Sequence, residues 1–245
     1  KINFINMYGI CHLSIIPVRK DLSSKSELVT QLIYGELYNI IKKEEKWFYI
    51  ETIDDKYKGW INYSQFKEIS EHDFNKVLKK EPKFLNNISS EIETENGKMS
   101  LIIGSKISSS FILNHKLILK SNTKTSIIKN SFKFLNSPYL WGGRTPYGID
   151  CSGFSQQVYK LSGLKLSRDA NQQALEGKGI KLKNAKPGDL AFFGKDRINH
   201  VGIIISSNKI IHAFGLVRID NLNEKGIINS ISNKLTHHLK KITTY

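Results

Sequence analysis

Short apolar runs, rich in β-branched and aromatic side chains, recur at regular intervals along the first quarter of the chain. Polar or glycine-containing turns separate these runs, which occupy residues 15–18, 28–34, 37–41, 47–53 and 59–63. Strands of this length and spacing are typical of a small β-barrel. The pattern therefore predicts one barrel over residues 1–67.

The pattern weakens over residues 68–120. Residues 68–83 are charged and compatible with a helix, which is typical of a connector. Short apolar runs then return, with Gly97 and Asn114 as turn residues between them. We expect residues 68–120 to form a connector and, if the apolar runs pair, a second and degenerate small barrel.

A helical period replaces the strand pattern after residue 120. Apolar residues at 127, 128, 132 and 135 share one helix face, and Pro138 requires that helix to stop by residue 137. Further helices are predicted at 151–161 and 170–176, and strands at 190–193, 201–205, 210–214 and 217–219. Helices followed by antiparallel strands predict an α+β domain over residues 121–245.

Positive charge is concentrated in this second half. The net charge is +15, of which residues 1–120 contribute +3 from 18 basic and 15 acidic side chains, and residues 121–245 contribute +12 from 19 basic and 7 acidic ones. The excess favours an anionic partner, although a solvated lysine-rich surface gives the same balance. Since no nucleic-acid-binding motif is present, we expect no nucleic-acid partner. No window approaches the ~18 apolar residues of a membrane span, so no integral membrane segment is expected.

Two cysteines limit the sulfur chemistry. Cys11 and Cys151 are too few for a disulfide framework or a zinc site, and Cys11 is expected to be a small core residue. Cys151 follows a glycine-rich loop and begins a predicted helix that Asp150 can cap. Unpaired N–H groups and the helix dipole favour a thiolate there, and the N–H of Cys151 could bind an oxyanion. Cys151 is therefore a candidate nucleophile; the alternative is a buried structural thiol.

Two histidines are candidates for the base that a thiol nucleophile needs. His200 precedes one predicted strand and His212 lies within the next, so a hairpin could bring both to one face. His200 would act as the general base and His212 would orient its ring. Each histidine taken alone is more often a hydrogen-bonded packing residue, and the spacing by itself does not overturn that alternative. No role is assigned to the remaining histidines, His12, His72, His115, His237 and His238.

Five separate blocks of sequence carry a resemblance to one family. The first runs from Tyr139 through Trp141 and Gly142-Gly143 to Asp150-Cys151-Ser152-Gly153-Phe154. The others are Arg168-Asp169, Pro187-Gly188-Asp189-Leu190, His200-Val201-Gly202-Ile203 and Ile211-His212-Ala213. In this order the blocks resemble the NlpC/P60 family of cell-wall cysteine peptidases over residues 120–245. The resemblance implies a papain-like α+β fold, with Cys151 as nucleophile, His200 as base and His212 as orienting residue.

The resemblance also implies substrate-binding residues. Members with this pattern hydrolyse peptidoglycan stem peptides between γ-D-glutamate and a diamino acid. Asp169 matches the position that meets a free N-terminal ammonium, although it also fits a plain helix cap. The remaining positions that match the family's substrate-binding motif are Tyr139, Trp141, Ser152 and Arg168.

Residues 1–67 resemble a bacterial SH3 domain, on the runs Ser26–Gln31, Tyr34-Gly35-Glu36, Trp47–Ile50 and Tyr57–Ile61. One or two SH3-like barrels ahead of an NlpC/P60 domain resemble the γ-D-glutamyl-L-diamino acid endopeptidases, which require a free L-Ala on the stem peptide. By analogy, Tyr57 and either Glu27 or Glu36 would add substrate contacts.

Several alternatives stay open at this point. A D,L-endopeptidase or amidase on intact murein, or a wall-binding module with an inactive peptidase domain, fits the same blocks. The diamino acid is open, and so is the compartment, with the bacterial cell envelope expected and the cytoplasm as the alternative. We expect a monomer that needs no metal or cofactor and whose partner is a peptidoglycan stem peptide.

Overall fold

The computed structural model describes residues 7–118 and 125–245. The chain divides into an N-terminal unit, Lys1–Thr123, and a C-terminal unit, Lys124–Tyr245. The boundary predicted between residues 120 and 121 lies outside the described residues. Within the described ranges, no helix is long and apolar enough to cross a membrane.

The N-terminal unit is built mainly from antiparallel strands. A seven-stranded sheet has the order β3-β2-β6-β5-β4-β1-β7, and a three-stranded sheet has the order β10-β8-β9. The elements are β1 (Met7–Ile10), β2 (Ile15–Arg19), β3 (Leu28–Ile33), β4 (Leu37–Lys43), β5 (Trp47–Thr52), β6 (Lys58–Asn62), β7 (Glu68–Ile69), α1 (Glu71–Lys79), β8 (Ser89–Thr94), β9 (Gly97–Ile102) and β10 (Lys116–Leu117), with 3-10 turns at Tyr63–Gln65 and Ile107–Ile112.

Two apolar clusters stabilise this unit. One is formed by side chains from the five strands β2 to β6 and by the fully buried Cys11, as expected of a core thiol. The other joins Tyr34, in the turn after β3, and Leu37 of β4 to Phe74 of α1 and to Ile92 of β8. Because this second cluster is shared, residues 68–118 pack as part of the same unit as the first barrel.

The C-terminal unit has two layers, helices and a strongly curved sheet. Its elements are α2 (Ile127–Phe132), β11 (Arg144–Thr145), β12 (Gly148–Ile149), α3 (Cys151–Leu161), α4 (Ala170–Gln173), β13 (Lys178–Ile180), β14 (Leu190–Phe193), β15 (His200–Ser206), β16 (Lys209–Phe214), β17 (Leu216–Asn223), β18 (Gly226–Ile228) and β19 (Leu235–Thr244), with a 3-10 turn at Leu182–Asn184. The predicted α+β class is confirmed.

The sheet of the C-terminal unit closes on itself through its last strand. Its order is β13-β19-β14-β15-β16-β17-β18, and β19 pairs with β18 as well. The first half of β19 lies against β18 and the second half against β14, so six strands form a closed antiparallel barrel. The predicted strands at 190–193, 201–205 and 210–214 are confirmed within one residue at each end. β18 and β19 were not predicted.

Helix α3 begins against the loop that precedes it. Asp150 caps the helix by accepting from the N–H of Gly153 at 2.7 Å. A Cβ built on Gly153 would lie 2.3 Å from the carbonyl oxygen of Gly143. This position therefore needs glycine so that the loop backbone can lie against the first turn of the helix.

We predict that Gly153→Ala destabilises the C-terminal unit. Alanine favours a helix by about 1 kcal/mol over glycine, but the clash is with a backbone carbonyl that cannot rotate away. Overpacking of this kind costs about 1–3 kcal/mol, so the free energy of unfolding should fall in urea denaturation of the full chain.

Gly179→Ala is the matched control. A Cβ there meets nothing closer than Lys241 Cε at 3.8 Å, so we expect a change within about 0.5 kcal/mol. A Gly153→Ala variant as stable as the control would contradict the close approach of loop and helix.

Candidate active site

The Asp150 carboxylate holds the start of α3 and the preceding loop together. Besides capping Gly153, it accepts from the N–H of Gly142 at 2.9 Å. The Arg168 guanidinium donates to both of its oxygens, at 2.6 and 3.0 Å. Both side chains are buried, with 1% and 7% of the Arg168 and Asp150 side chains exposed. The paired charges thus fix where Cys151 begins the helix.

Cys151 is buried at the first position of α3, and its sulfur faces the start of β15. The sulfur accepts hydrogen bonds from the backbone N–H groups of Val201 and Ser152, which lower its pKa. Burial and the Asp150 charge outweigh them and raise the pKa of the thiol to about 12. The expectation that the helix N-terminus leaves a thiolate at rest is wrong for this structure, because desolvation of the sulfur is the larger effect.

His200, His212 and Asp220 form a hydrogen-bonded row on three adjacent strands. His200 begins β15, and the register places His212 of β16 opposite Gly202, so the two rings share a face. Nε2 of His200 lies 2.8 Å from Nδ1 of His212, and Nε2 of His212 lies 3.1 Å from Oδ2 of Asp220. All three side chains are buried. The hairpin geometry predicted for the two histidines is confirmed.

The carboxylate at the end of this row sets the tautomers. Burial alone would raise the pKa of Asp220, but hydrogen bonds from His212, Ser230 and Arg218 hold it well below its usual range. An ionised carboxylate only accepts, so Nε2 of His212 donates to it and Nδ1 of His212 accepts from His200. This leaves Nδ1 of His200 with a free lone pair, as a general base requires.

Burial also keeps His200 neutral. Desolvation and the neighbouring rings of His212 and His237 lower the pKa of His200 well below its ordinary value. At neutral pH the site therefore holds a thiol and an uncharged imidazole.

Sequence reasoning missed two residues of this cluster, Asp220 and His237. Asp220 lies beyond the predicted strand 217–219, inside the longer β17, and alternation along that strand could have placed it on a face with a buried neighbour. His237 lies on the unpredicted β19, and its ring stacks on His200 with centroids 4.1 Å apart. Nothing in the local pattern of β19 indicates that contact.

The predicted substrate-binding residues of the C-terminal unit fall into two groups. Tyr139 and Trp141 have exposed side chains, 36% and 60% accessible. Burial, Cys151 and Asp150 raise the pKa of Tyr139 to about 12, so it stays a phenol that can donate. Asp169 is half-buried and caps α4, and its backbone N–H donates to Gln172 Oε1 at 3.1 Å.

Ser152 and Arg168 form the second group and lie inside the protein. The Ser152 hydroxyl accepts from Arg168 at 2.9 Å and donates to Asp150 at 3.3 Å. Arg168 has its guanidinium directed at these two residues. Both side chains therefore support the helix start, and their direct contact with substrate stays a prediction.

The residues predicted in the N-terminal unit have different surroundings. Glu36 is buried, and its carboxylate accepts from the N–H of Ile33 at 3.0 Å. Glu27 is exposed and pairs with Lys20 at 3.2 Å. Tyr57 follows a turn in which its N–H donates to Thr52 Oγ1 at 2.8 Å. Their contacts with substrate stay predictions.

A cavity of about 880 Å³ opens beside His200. Tyr139, Phe214 and His237 supply aromatic walls, and Lys195 and Arg197 supply cationic ones. Among residues 7–118 and 125–245, no cluster of three His, Cys, Asp or Glu side chains is arranged to hold a metal ion. The cavity therefore adjoins the His200 end of the hydrogen-bonded row.

Family models match both parts of the chain. The model described as the NlpC/P60 family matches residues 136–235, and that described as the bacterial dipeptidyl-peptidase Sh3 domain matches residues 18–66. These matches agree with the SH3-like barrel and with the catalytic domain implied by the motifs.

Known proteins extend the similarity along most of the chain. A protein of Bacillus subtilis (strain 168) named gamma-D-glutamyl-L-lysine dipeptidyl-peptidase is 31% identical over 80% of this chain and 75% of that protein. One of the same name from Bacillus cereus (strain ATCC 10987 / NRS 248) is 27% identical over 84% of this chain and 74% of that protein.

A crystal structure of an NlpC/P60 family protein from Bacillus cereus ATCC 10987 shares the fold. It has a TM-score of 0.78 at 17% identity, and the match covers 97% of this chain and 99% of that one. The papain-like α+β domain and SH3-like barrel implied by the motifs are thereby confirmed. With a cysteine at a helix start, a hydrogen-bonded histidine pair and these relatives, the chain belongs to the NlpC/P60 family of cysteine peptidases.

Proposed function

We propose that this peptidase hydrolyses the γ-D-glutamyl–diamino acid bond of peptidoglycan stem peptides that carry a free N-terminal L-Ala. The observation that supports the chemistry is the row from His200 through His212 to Asp220, since the sulfur of Cys151 is hydrogen-bonded to the N–H of Val201, the residue after His200. The two relatives named gamma-D-glutamyl-L-lysine dipeptidyl-peptidase support this choice of bond. The reaction would serve cell-wall turnover or recycling.

The first half of the reaction forms a thioester. The Cys151 thiol gives its proton to Nδ1 of His200, and the sulfur attacks the γ-carbonyl carbon of D-glutamate. The N–H of Cys151 at the helix start stabilises the oxyanion. When the tetrahedral species collapses, His200 returns the proton to the leaving nitrogen, and the diamino acid departs as an amine.

Water completes the cycle. Neutral His200 takes a proton from a water molecule, whose oxygen attacks the thioester carbon. The C–S bond then breaks, Cys151 recovers its proton, and L-Ala-D-Glu leaves with a free γ-carboxyl group. Throughout, His212 and Asp220 keep the base in the tautomer that faces the sulfur.

The direct test compares a free and an N-blocked substrate. We expect L-Ala-γ-D-Glu-L-Lys to be cleaved to L-Ala-D-Glu and lysine. The N-acetylated peptide should be cleaved at least about 10-fold more slowly, because acetylation removes one charged contact of the ammonium group. Mass spectrometry of the products measures both rates, and Cys151→Ala should abolish them. Equal cleavage of the two peptides would favour an endopeptidase on intact murein, and binding without cleavage would favour a wall-binding module.

A second prediction separates the charge of Asp169 from its capping role. Asn caps a helix about as well as Asp, so Asp169→Asn should leave stability unchanged. Loss of a charge-assisted contact to the substrate ammonium should raise KM for the free tripeptide about 10- to 100-fold. The preference for the free over the acetylated peptide should shrink by the same factor, and an unchanged preference would remove Asp169 from substrate recognition.

A third prediction concerns the resting state of the thiol. Because burial raises the pKa of Cys151 to about 12, thiolate absorbance near 240 nm should not appear between pH 5 and 9. The measurement is the spectrum of the wild type minus that of Cys151→Ala, which removes contributions from Cys11 and the tyrosines. A thiolate signal with a midpoint below pH 7 would show a resting thiolate–imidazolium pair instead.

A further inference from the structure

The ring of His200 has a hydrogen-bond partner in its plane and another side chain on its face. Nε2 donates to Nδ1 of His212 at 2.8 Å, and Nδ1 is the atom proposed to take the proton from Cys151. Such contacts act in the ring plane, and the terminal torsion of a histidine is broad. A base that must meet a sulfur atom in one orientation therefore also needs a contact on the face of its ring.

His237 supplies that contact. Its ring lies on His200 with centroids 4.1 Å apart and an angle of 24° between the planes. It meets His212 edge to face at 5.8 Å and 81°, and Phe214 at 4.8 Å and 89°. Phe193 of β14 completes its surroundings at 6.3 Å. The ring is therefore enclosed by three strands of the barrel and itself belongs to a fourth, β19.

We propose that His237 is a positioning residue for the general base, holding the His200 ring by stacking on its face from the closing strand of the barrel. This inference rests on the proposed peptidase reaction. Because the His237 ring stacks on the face of His200, both nitrogens of His200 stay available, one to Cys151 and the other to His212. His237 and His200 also line the same cavity, so the stacked pair forms part of its wall.

The charge state of His237 fits this role. Burial and His212 lower its pKa to about 4, while Asp220 acts in the opposite direction. His237 is therefore neutral at neutral pH and adds no like charge beside a base that must accept a proton. The remaining charged groups near it on the cavity wall are Lys195, Asp196, Arg197 and His238.

The test compares two variants with a control on the same strand. His237→Phe keeps an aromatic ring on His200, and His237→Ala removes it; Lys240→Ala alters an exposed residue of β19. Misplacement of a catalytic group by about 1 Å costs about 100-fold in rate. We expect kcat to fall about 10- to 100-fold in His237→Ala with KM nearly unchanged, and to recover to within about threefold of the wild type in His237→Phe.

A measurement without substrate tests the positioning role of His237 separately from the proposed peptidase reaction. The imidazole of His200 is titrated by NMR in each variant. In His237→Ala the pKa of His200 should rise, because water reaches the ring and because a neighbouring imidazole that becomes charged in acid is lost. The acid limb of the kcat/KM profile should move to higher pH by the same amount. If the wild type cleaves no stem peptide but this shift appears, the proposed substrate is wrong and the positioning role stands.

Three results would overturn the positioning role. They are an unchanged kcat in His237→Ala, a loss in His237→Phe equal to that in His237→Ala, and a rise in KM alone, which would make His237 a substrate contact. Thermal unfolding of each variant checks that it is folded. If His237→Ala does not fold, His237→Leu fills the same volume without a planar ring and must show the same loss of kcat and the same rise in the pKa of His200.

Discussion

The buried ion pair between Asp150 and Arg168 is the constraint on which the active site depends. One carboxylate caps α3, holds the Gly142 amide and accepts both arms of the guanidinium. Removing one partner of such a pair costs about 3–5 kcal/mol, because the other charge stays buried. The same negative charge raises the pKa of Cys151. The group that places the proposed nucleophile therefore opposes its ionisation, and the proposed reaction depends on a base that takes the proton from the sulfur.

Closure of the barrel fixes that base. β15, β16 and β17 deliver His200, His212 and Asp220 in consecutive antiparallel order, so one row of hydrogen bonds runs across three strands. β19 then returns to pair with both β14 and β18. It brings His237 onto the face of His200, 37 positions earlier in the sequence. A sheet left open at β18 would keep the row of hydrogen bonds but leave the base uncovered.

The sequence predicted the elements whose residues carry an apolar period. α3 is confirmed at both ends, and the strand pair that bears His200 and His212 is confirmed within one residue at each end. β19 could not be predicted in this way, because only two of its ten residues are buried and its exposed and intermediate positions show no regular apolar alternation. His237 contacts His200 from a strand that is distant in sequence, whereas Asp220 meets His212 on the next strand and lies one residue beyond the predicted strand 217–219. The resting thiol was missed because the cost of burying sulfur depends on tertiary packing, which no local pattern records.

Arg168 and Asp169 are neighbours in the segment between α3 and α4 but differ in burial, and this difference bears on the proposed specificity. Arg168 is buried and neutralises Asp150, whereas Asp169 is half-buried at the start of α4. Asp150, Asp189 and Asp220 are buried, and Glu176 accepts from the Ser167 backbone N–H. The other acidic residues of this half, whose net charge is +12, are Asp169, Asp196 and Glu224, and Asp196 lines the cavity beside His200. A general excess of positive charge does not distinguish one anionic fragment from another, so the proposed selection of a free amino end requires one acidic group at a fixed place, and Asp169 is the residue proposed for it.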